Sequence, residues 1–118
     1  ERYQTHPSSS AASAYSIVYQ WADAVSRAKT IASEPVIAAL ENHSYSLLKG
    51  QQQWRAFDHQ NVQTVYAVRV KPREEVLKDR FKQDYFEIVH RLSGEQAAPT
   101  LAEWQEERRA AGQPARLQ

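Results

Sequence analysis

The 118-residue sequence contains no cysteine. That excludes disulfides, thiolate catalysis and cysteine metal sites, although it does not fix a redox compartment. Methionine is also absent and the sequence opens on Glu1-Arg2-Tyr3, which reads as a processed or excised piece. Only three glycines occur, few for an independent α/β domain, which spends glycine on helix ends and tight loops. A fragment of a larger fold is therefore expected. No apolar run approaches the roughly 20 residues that span a bilayer, and no signal-peptide pattern is visible. A surplus of one charge sign is missing too: 15 basic residues face 14 acidic ones, a formal charge of +1. Polyanion binding draws on excess Lys and Arg, so nucleic acid is not an expected partner. The length bounds the chain to one domain at most, or to part of a larger one.

What is present has a clear order. Pro7 and Ser8-Ser9-Ser10 read as a loop ending in a helix N-cap. From Ala11, the residues Tyr15, Val18, Trp21, Ala22, Val25 and Ala28 recur at spacings of three and four, one face of a helix to about Lys29. At this spacing Trp21 and Tyr15 are expected in a core. Ser33-Glu34-Pro35 marks a second helix start, with Ser33 as cap, and that helix ends near Asn42-His43. Tyr45, Leu47 and Leu48 form an extended link or brief strand. Residues 52–57 read as a strand with apolar side chains on both faces. The elbow Asp58-His59-Gln60-Asn61 follows, and 65–70 is the clearest strand, stopped by Pro72. Residues 73–82 are a solvated charged stretch and 85–92 a third strand. Pro99-Thr100 caps a helix over 101–110, whose acids precede its bases.

Few residues offer chemistry. His6, His43, His59 and His90 lack any spacing that would put two on one helix face, so no metal site is expected. Asp58 and His59 are adjacent and point to opposite faces of extended chain, which disfavours an acid–base pair. No phosphate-binding loop, dinucleotide fingerprint or nucleophile elbow occurs. Lys71, Arg73, Lys78, Arg80 and Lys82 alternate with Glu74, Glu75 and Asp79, the pattern of a solvated face. Nothing assembles a nucleophile, base and oxyanion donor, so an enzyme is not expected and no cofactor is implied. The serines at 8, 9, 10 and 13 surround a helix N-terminus, a place that favours anions such as carboxylates.

The order of these motifs resembles the C-terminal third of type I periplasmic solute-binding proteins of the branched-chain amino acid, amide and urea class. The residues that carry the likeness are Glu1-Arg2-Tyr3 to Pro7, then Ala11, Tyr15, Trp21-Ala22-Asp23-Ala24-Val25 and Ala28, then Ser33-Glu34-Pro35 and Ala38-Ala39-Leu40-Glu41. Gly50, Trp54-Arg55-Ala56-Phe57-Asp58-His59-Gln60, Tyr66-Ala67-Val68-Arg69-Val70-Lys71-Pro72, Tyr85-Phe86-Glu87-Ile88-Val89 and Pro99-Thr100-Leu101-Ala102-Glu103 continue it to about residue 104.

The resemblance implies an α/β fold of two lobes, each a mostly parallel sheet flanked by helices, joined by three strands at a hinge. Ligand binds between the lobes, and the closed form, in the periplasm of a bacterium, delivers the ligand to the membrane subunits of an ABC transporter in the inner membrane. On this template residues 1–57 are first-lobe helices and the approach to the hinge, and 58–64 the hinge elbow. Residues 65–104 are the second-lobe strands and closing segment, and 105–118 a charged tail. Ser9, Ser10 and Ala11 carry over as ligand contacts, with Tyr15 a weaker one, and Phe57, Asp58, His59 and Gln60 as the hinge. The implied ligand is an amino acid or a related carboxylate or amide. The rest of the same protein is the expected partner, and an isolated piece is expected to dimerise by exchanging elements. The same fold also serves ligand sensing in signalling proteins, and a small independent interaction domain is the further alternative.

Overall fold

A computed structural model describes residues 3–117. Helix α1 (Ser9–Ala28) starts where the Ser8 hydroxyl accepts the Ala11 N–H at 3.1 Å, and ends at Lys29 in the left-handed conformation. Helix α2 (Ser33–Leu40) starts one residue earlier than the capping signal implied. Its N-cap is Ala32, which has no side chain to offer, and Ser33 lies inside the first turn. Strands β1 (Ser44–Leu47) and β2 (Gly50–Trp54) are joined by Leu48-Lys49, with Gly50 at φ 78°, where a side chain would be strained. Strand β3 (Asn61–Gln63) completes a sheet in the order β1-β2-β3.

A second sheet pairs β4 (Val65–Val70) with β5 (Phe86–Leu92), with an irregularity between Ala67 and Val68. Between them lies the single turn α3 (Arg73–Val76). Lys71 closes this loop: its N–H donates to Tyr85 O at 2.9 Å and its ammonium to Asp84 Oδ2 at 2.5 Å. The short α4 (Gly94–Ala97) leads to α5 (Leu101–Ala110), where Thr100 and Glu103 form a reciprocal capping box.

The mixture of helices and strands is that of an α/β fold. The parallel pairing implied by the resemblance is not found among the described residues: all three strand pairs are antiparallel. In the first sheet the links are far shorter than the dozen or so residues of a parallel crossover, whereas β4 and β5 are joined by residues 71–85, a length that does not by itself decide the sense of pairing.

Burial departs most from expectation. Tyr15, Val18 and Trp21 are 43%, 63% and 53% exposed, and α1 buries Ser16, Gln20 and Ala24 instead. Helical spacing identifies the stripe that would gain from burial, but not whether a covering layer is present. Every residue of β4 and β5 is likewise exposed, although a lone two-stranded hairpin is marginal in water. The accessible surface is 9017 Å², whereas a compact monomer of this mass exposes about 6,500 Å². The Cα radius of gyration is 18.3 Å, against about 13 Å for a compact domain of this length. Both excesses accompany an elongated arrangement of 52 × 36 × 20 Å in which the apolar faces of α1 and of the second sheet are exposed.

Candidate ligand cleft at the chain crossings

The secondary structure forms two groups. The first holds α1, α2 and the sheet β1–β3; the second holds β4, α3 and β5. The chain passes between them just before α1. Thr5 Oγ1 donates to Gln83 Oε1 at 2.6 Å, and the His6 N–H donates to the same oxygen at 3.3 Å. The His6 ring also meets Phe81 edge-on at 5.0 Å. Residues 5–6 therefore rest on the second group, and Ser8 opens α1 in the first. Thr64 makes another passage, as the single residue between β3 and β4.

A cleft of about 560 Å³ lies between the start of α1 and the passage at Thr64. Its walls are Ser9, Leu48, Lys49, Gly50, Gln63, Thr64 and Tyr66. Each arrives for a local reason. Ser9 is the first residue of α1, placed by the Ser8 cap. Leu48, Lys49 and Gly50 form the tip of the β1–β2 hairpin. Gln63 ends β3, Thr64 follows it, and Tyr66 is contributed by β4 of the second group. Lys49 Nζ donates to Ser13 Oγ at 2.7 Å, which holds the ammonium against the first turns of α1. No acidic residue occupies the first turn of α1, so the positive end of the helix dipole and the Lys49 cation act together there. That combination suits a carboxylate.

Behind Lys49 is a smaller chamber of about 170 Å³, walled by Ser13, Ser16, Tyr45, Gln52, Trp54 and Asn61 among others. Gln52 Nε2 donates to Asn61 Oδ1 and to Gln63 Oε1, each at 2.8 Å, and Asn61 Nδ2 donates to Tyr45 Oη at 2.9 Å. Burial pushes the Tyr45 phenol above its ordinary value, so it stays neutral, with the Asn61 bond acting in the other direction. This network fixes Gln63 at the floor of the cleft.

Of the residues expected to meet ligand, Ser9 is on the cleft wall. Ser10, Ala11 and Tyr15 are not among the described wall residues; the Tyr15 ring lies against Tyr19 at 4.5 Å instead. Lys49, Gln63, Thr64 and Tyr66 also line the cleft and were not singled out from the sequence. The Leu48-Lys49-Gly50 sequence did carry a signal for Lys49, a glycine directly after a two-residue break in an alternating pattern, which is how a hairpin tip reads.

The expected hinge residues Phe57, Asp58, His59 and Gln60 lie elsewhere. They connect β2 to β3, which pair antiparallel with Gln53 opposite Val62, so the elbow is a hairpin connection within one sheet. The Arg55 N–H donates to Gln60 O at 3.0 Å and closes it. His59 sits at φ 55°, and its Nε2 is 2.8 Å from Glu41 Oε1 of the residue that follows α2. Among the described residues, no cluster of three His, Asp or Glu side chains is arranged to hold a metal ion, and no helix is long and apolar enough to cross a membrane.

No curated protein and no solved structure matches the chain. The family model described as periplasmic binding protein matches residues 1–75, which is more than half of the sequence and includes α1, α2, the first sheet, β4 and the cleft. The chain belongs to the periplasmic binding protein family, a family of solute-binding proteins.

Proposed function

We propose that the chain is the C-terminal part of an extracytoplasmic solute receptor. It would bind an amino acid, or a related small carboxylate or amide, between two lobes and deliver it to an ABC transporter in the bacterial inner membrane. The observation that carries this reading is the cleft between the start of α1 and the passage at Thr64, with wall residues from both groups and Lys49 beside the N-terminus of α1. A ligand that touched both groups would be held best when they close over it, and the same contacts would favour the closed form. In this reading Lys49 and the exposed N–H groups at Ser9 and Ser10 take the carboxylate, and Gln63, Thr64 and Tyr66 supply polar contacts around the rest.

The bare stripe of α1 and the uncovered second sheet support a further part of the reading. The excess surface of about 2,500 Å² relative to a compact monomer is the size of a large obligate interface. We assign the missing cover to the rest of the same protein. An isolated piece would cover these faces with a second copy.

Thermal unfolding of the intact protein against L-leucine, L-phenylalanine, urea and acetamide tests the proposal. A cognate solute at 100 times its Kd adds about 2.7 kcal/mol to the stability, and a clear upward shift with one of them is expected. A panel of amino acids and amides that leaves the transition unmoved would contradict the receptor reading.

A further inference from the structure

The chamber behind Lys49 offers more hydrogen-bonding capacity than the protein itself uses. Gln52 is 4% exposed, and its Nε2 group is spent on Asn61 Oδ1 and Gln63 Oε1. That bonding fixes which end of the amide is free. Gln52 Oε1 is buried and accepts from no group of the protein, and the buried indole Nε1 of Trp54 donates to none. Both residues line the chamber. They stand two apart on β2, so their side chains leave the strand on one face. Tyr45 adds to the set: its hydroxyl accepts from Asn61 and, being neutral, keeps its own proton to donate. Buried polar atoms without partners are costly and few in native folds. An acceptor and a donor left over on the walls of one chamber point to an occupant that pairs with both.

The wall chemistry narrows that occupant. Apart from Lys49, no wall residue carries a formal charge. A carboxylate would set acceptor against acceptor at Gln52 Oε1, and an ammonium would set donor against donor at Trp54 Nε1. A branched apolar chain would leave both atoms unpaired. A group that carries N–H and C=O together satisfies the two at once, as a carboxamide or a ureido group does. The volume of about 170 Å³ far exceeds the roughly 10–15 Å³ that one water needs. Lys49 and Gln63 also line the larger cleft, so the two spaces adjoin at these side chains.

We infer that the chamber is a specificity subsite, which takes the uncharged amide end of a solute whose carboxylate lies on Lys49 in the adjoining cleft. Gln52 Oε1 accepts the amide N–H, and Trp54 Nε1 donates to its carbonyl oxygen. Asn61 and Gln63 are positioning residues, because they hold the Gln52 amide with its oxygen free. The subsite rests on the cleft being the solute site of the proposed receptor. It narrows the solute from amino acids in general to those that end in a carboxamide or ureido group.

Calorimetric titration of the intact protein with L-glutamine, L-asparagine, L-leucine, L-glutamate and acetamide tests the subsite. One of the two carboxamide amino acids is expected to bind about 10-fold or more tightly than L-leucine and L-glutamate, because a site built to hydrogen-bond a group rejects analogues that lack it. W54F removes the donor and keeps a ring, and Q52M removes the acceptor at similar length. Each should cut the preference over L-leucine to below about 3-fold while leaving the affinity for L-leucine nearly unchanged. L-leucine or L-glutamate bound as tightly as the better carboxamide would overturn the subsite, mark the chamber as a water pocket and leave the receptor reading standing. A preference kept in full by both variants would overturn it as well. The parent titrations decide the matter if neither variant folds. Acetamide bound by the parent and lost in W54F, with no amino acid bound, would sustain the chamber and count against a carboxylate on Lys49. Failure of all five to bind would overturn the subsite together with the receptor reading.

Discussion

Replacing Arg55 with alanine should be among the most damaging single changes outside the hydrophobic core. Asp58 is 7% exposed and accepts from two atoms of Arg55. Removing one partner of a buried pair leaves the other charge uncompensated, which costs about 3–5 kcal/mol. Arg55 retains 16% exposure, so water reaches part of the site, and the lower end, about 3 kcal/mol, is the appropriate expectation. R55K should recover only part of this, because an ammonium keeps the charge but not the fork that engages Asp58, Gln60 and Pro99 together. The double variant R55A/D58A should lose less than the sum of the single variants, since it removes the stranded carboxylate as well. Urea unfolding of the intact protein measures all four. A cost below about 0.5 kcal/mol for R55A, the level of an ordinary surface change, would refute the claim that the elbow is held by this cluster.

Three further outcomes follow from the same geometry. K49M should weaken binding of a carboxylate-bearing solute by roughly 10- to 150-fold, the loss of one charged hydrogen bond of about 1.5–3 kcal/mol. Calorimetric titration checks it, with stability left nearly unchanged. S8A removes the cap of α1 and should cost about 1 kcal/mol of stability, read from the urea midpoint. Acid should loosen the attachment of residues 5–6 to the second group. The Asp79 carboxyl is held below its usual range by the backbone N–H groups of Gln83 and Phe81 and by His6. A depressed folded value stabilises at every pH above the unfolded value of about 4 and is lost as the pH falls through the folded one. The urea midpoint should therefore drop between pH 5 and pH 2.5 by more in the parent than in D79N.

Local structure was legible in the sequence wherever a single segment determines it. The Ser8 cap, the 3.6-residue period of α1, the β-branched run of β4 and the Thr100 cap of α5 each act within a few residues, and those elements stand close to where the spacing put them. Burial was not legible. The exposed Trp21 and Val18 depend on a layer that local periodicity does not report. The elbow was ambiguous for a physical reason: a four-residue polar break suits a hairpin and a passage between sheets equally. What distinguishes them is the register of β2 against β3 and the reach of Arg55 to Pro99, 44 residues away. Of the cleft, Ser9 was legible because a capped helix start attracts anions. Lys49, Gln63 and Tyr66 come from three separate strands or turns, and only the fold brings them together.

The most direct test of the central claim is a crystal structure of the intact protein bound to the solute that stabilises it. The account predicts density for the solute between the two groups, with its carboxylate within hydrogen-bonding distance of Lys49 Nζ or the Ser9 backbone and with Tyr66 closing on it from the second group. A solute bound elsewhere, with Ser9, Lys49 and Tyr66 all outside contact distance, would contradict it.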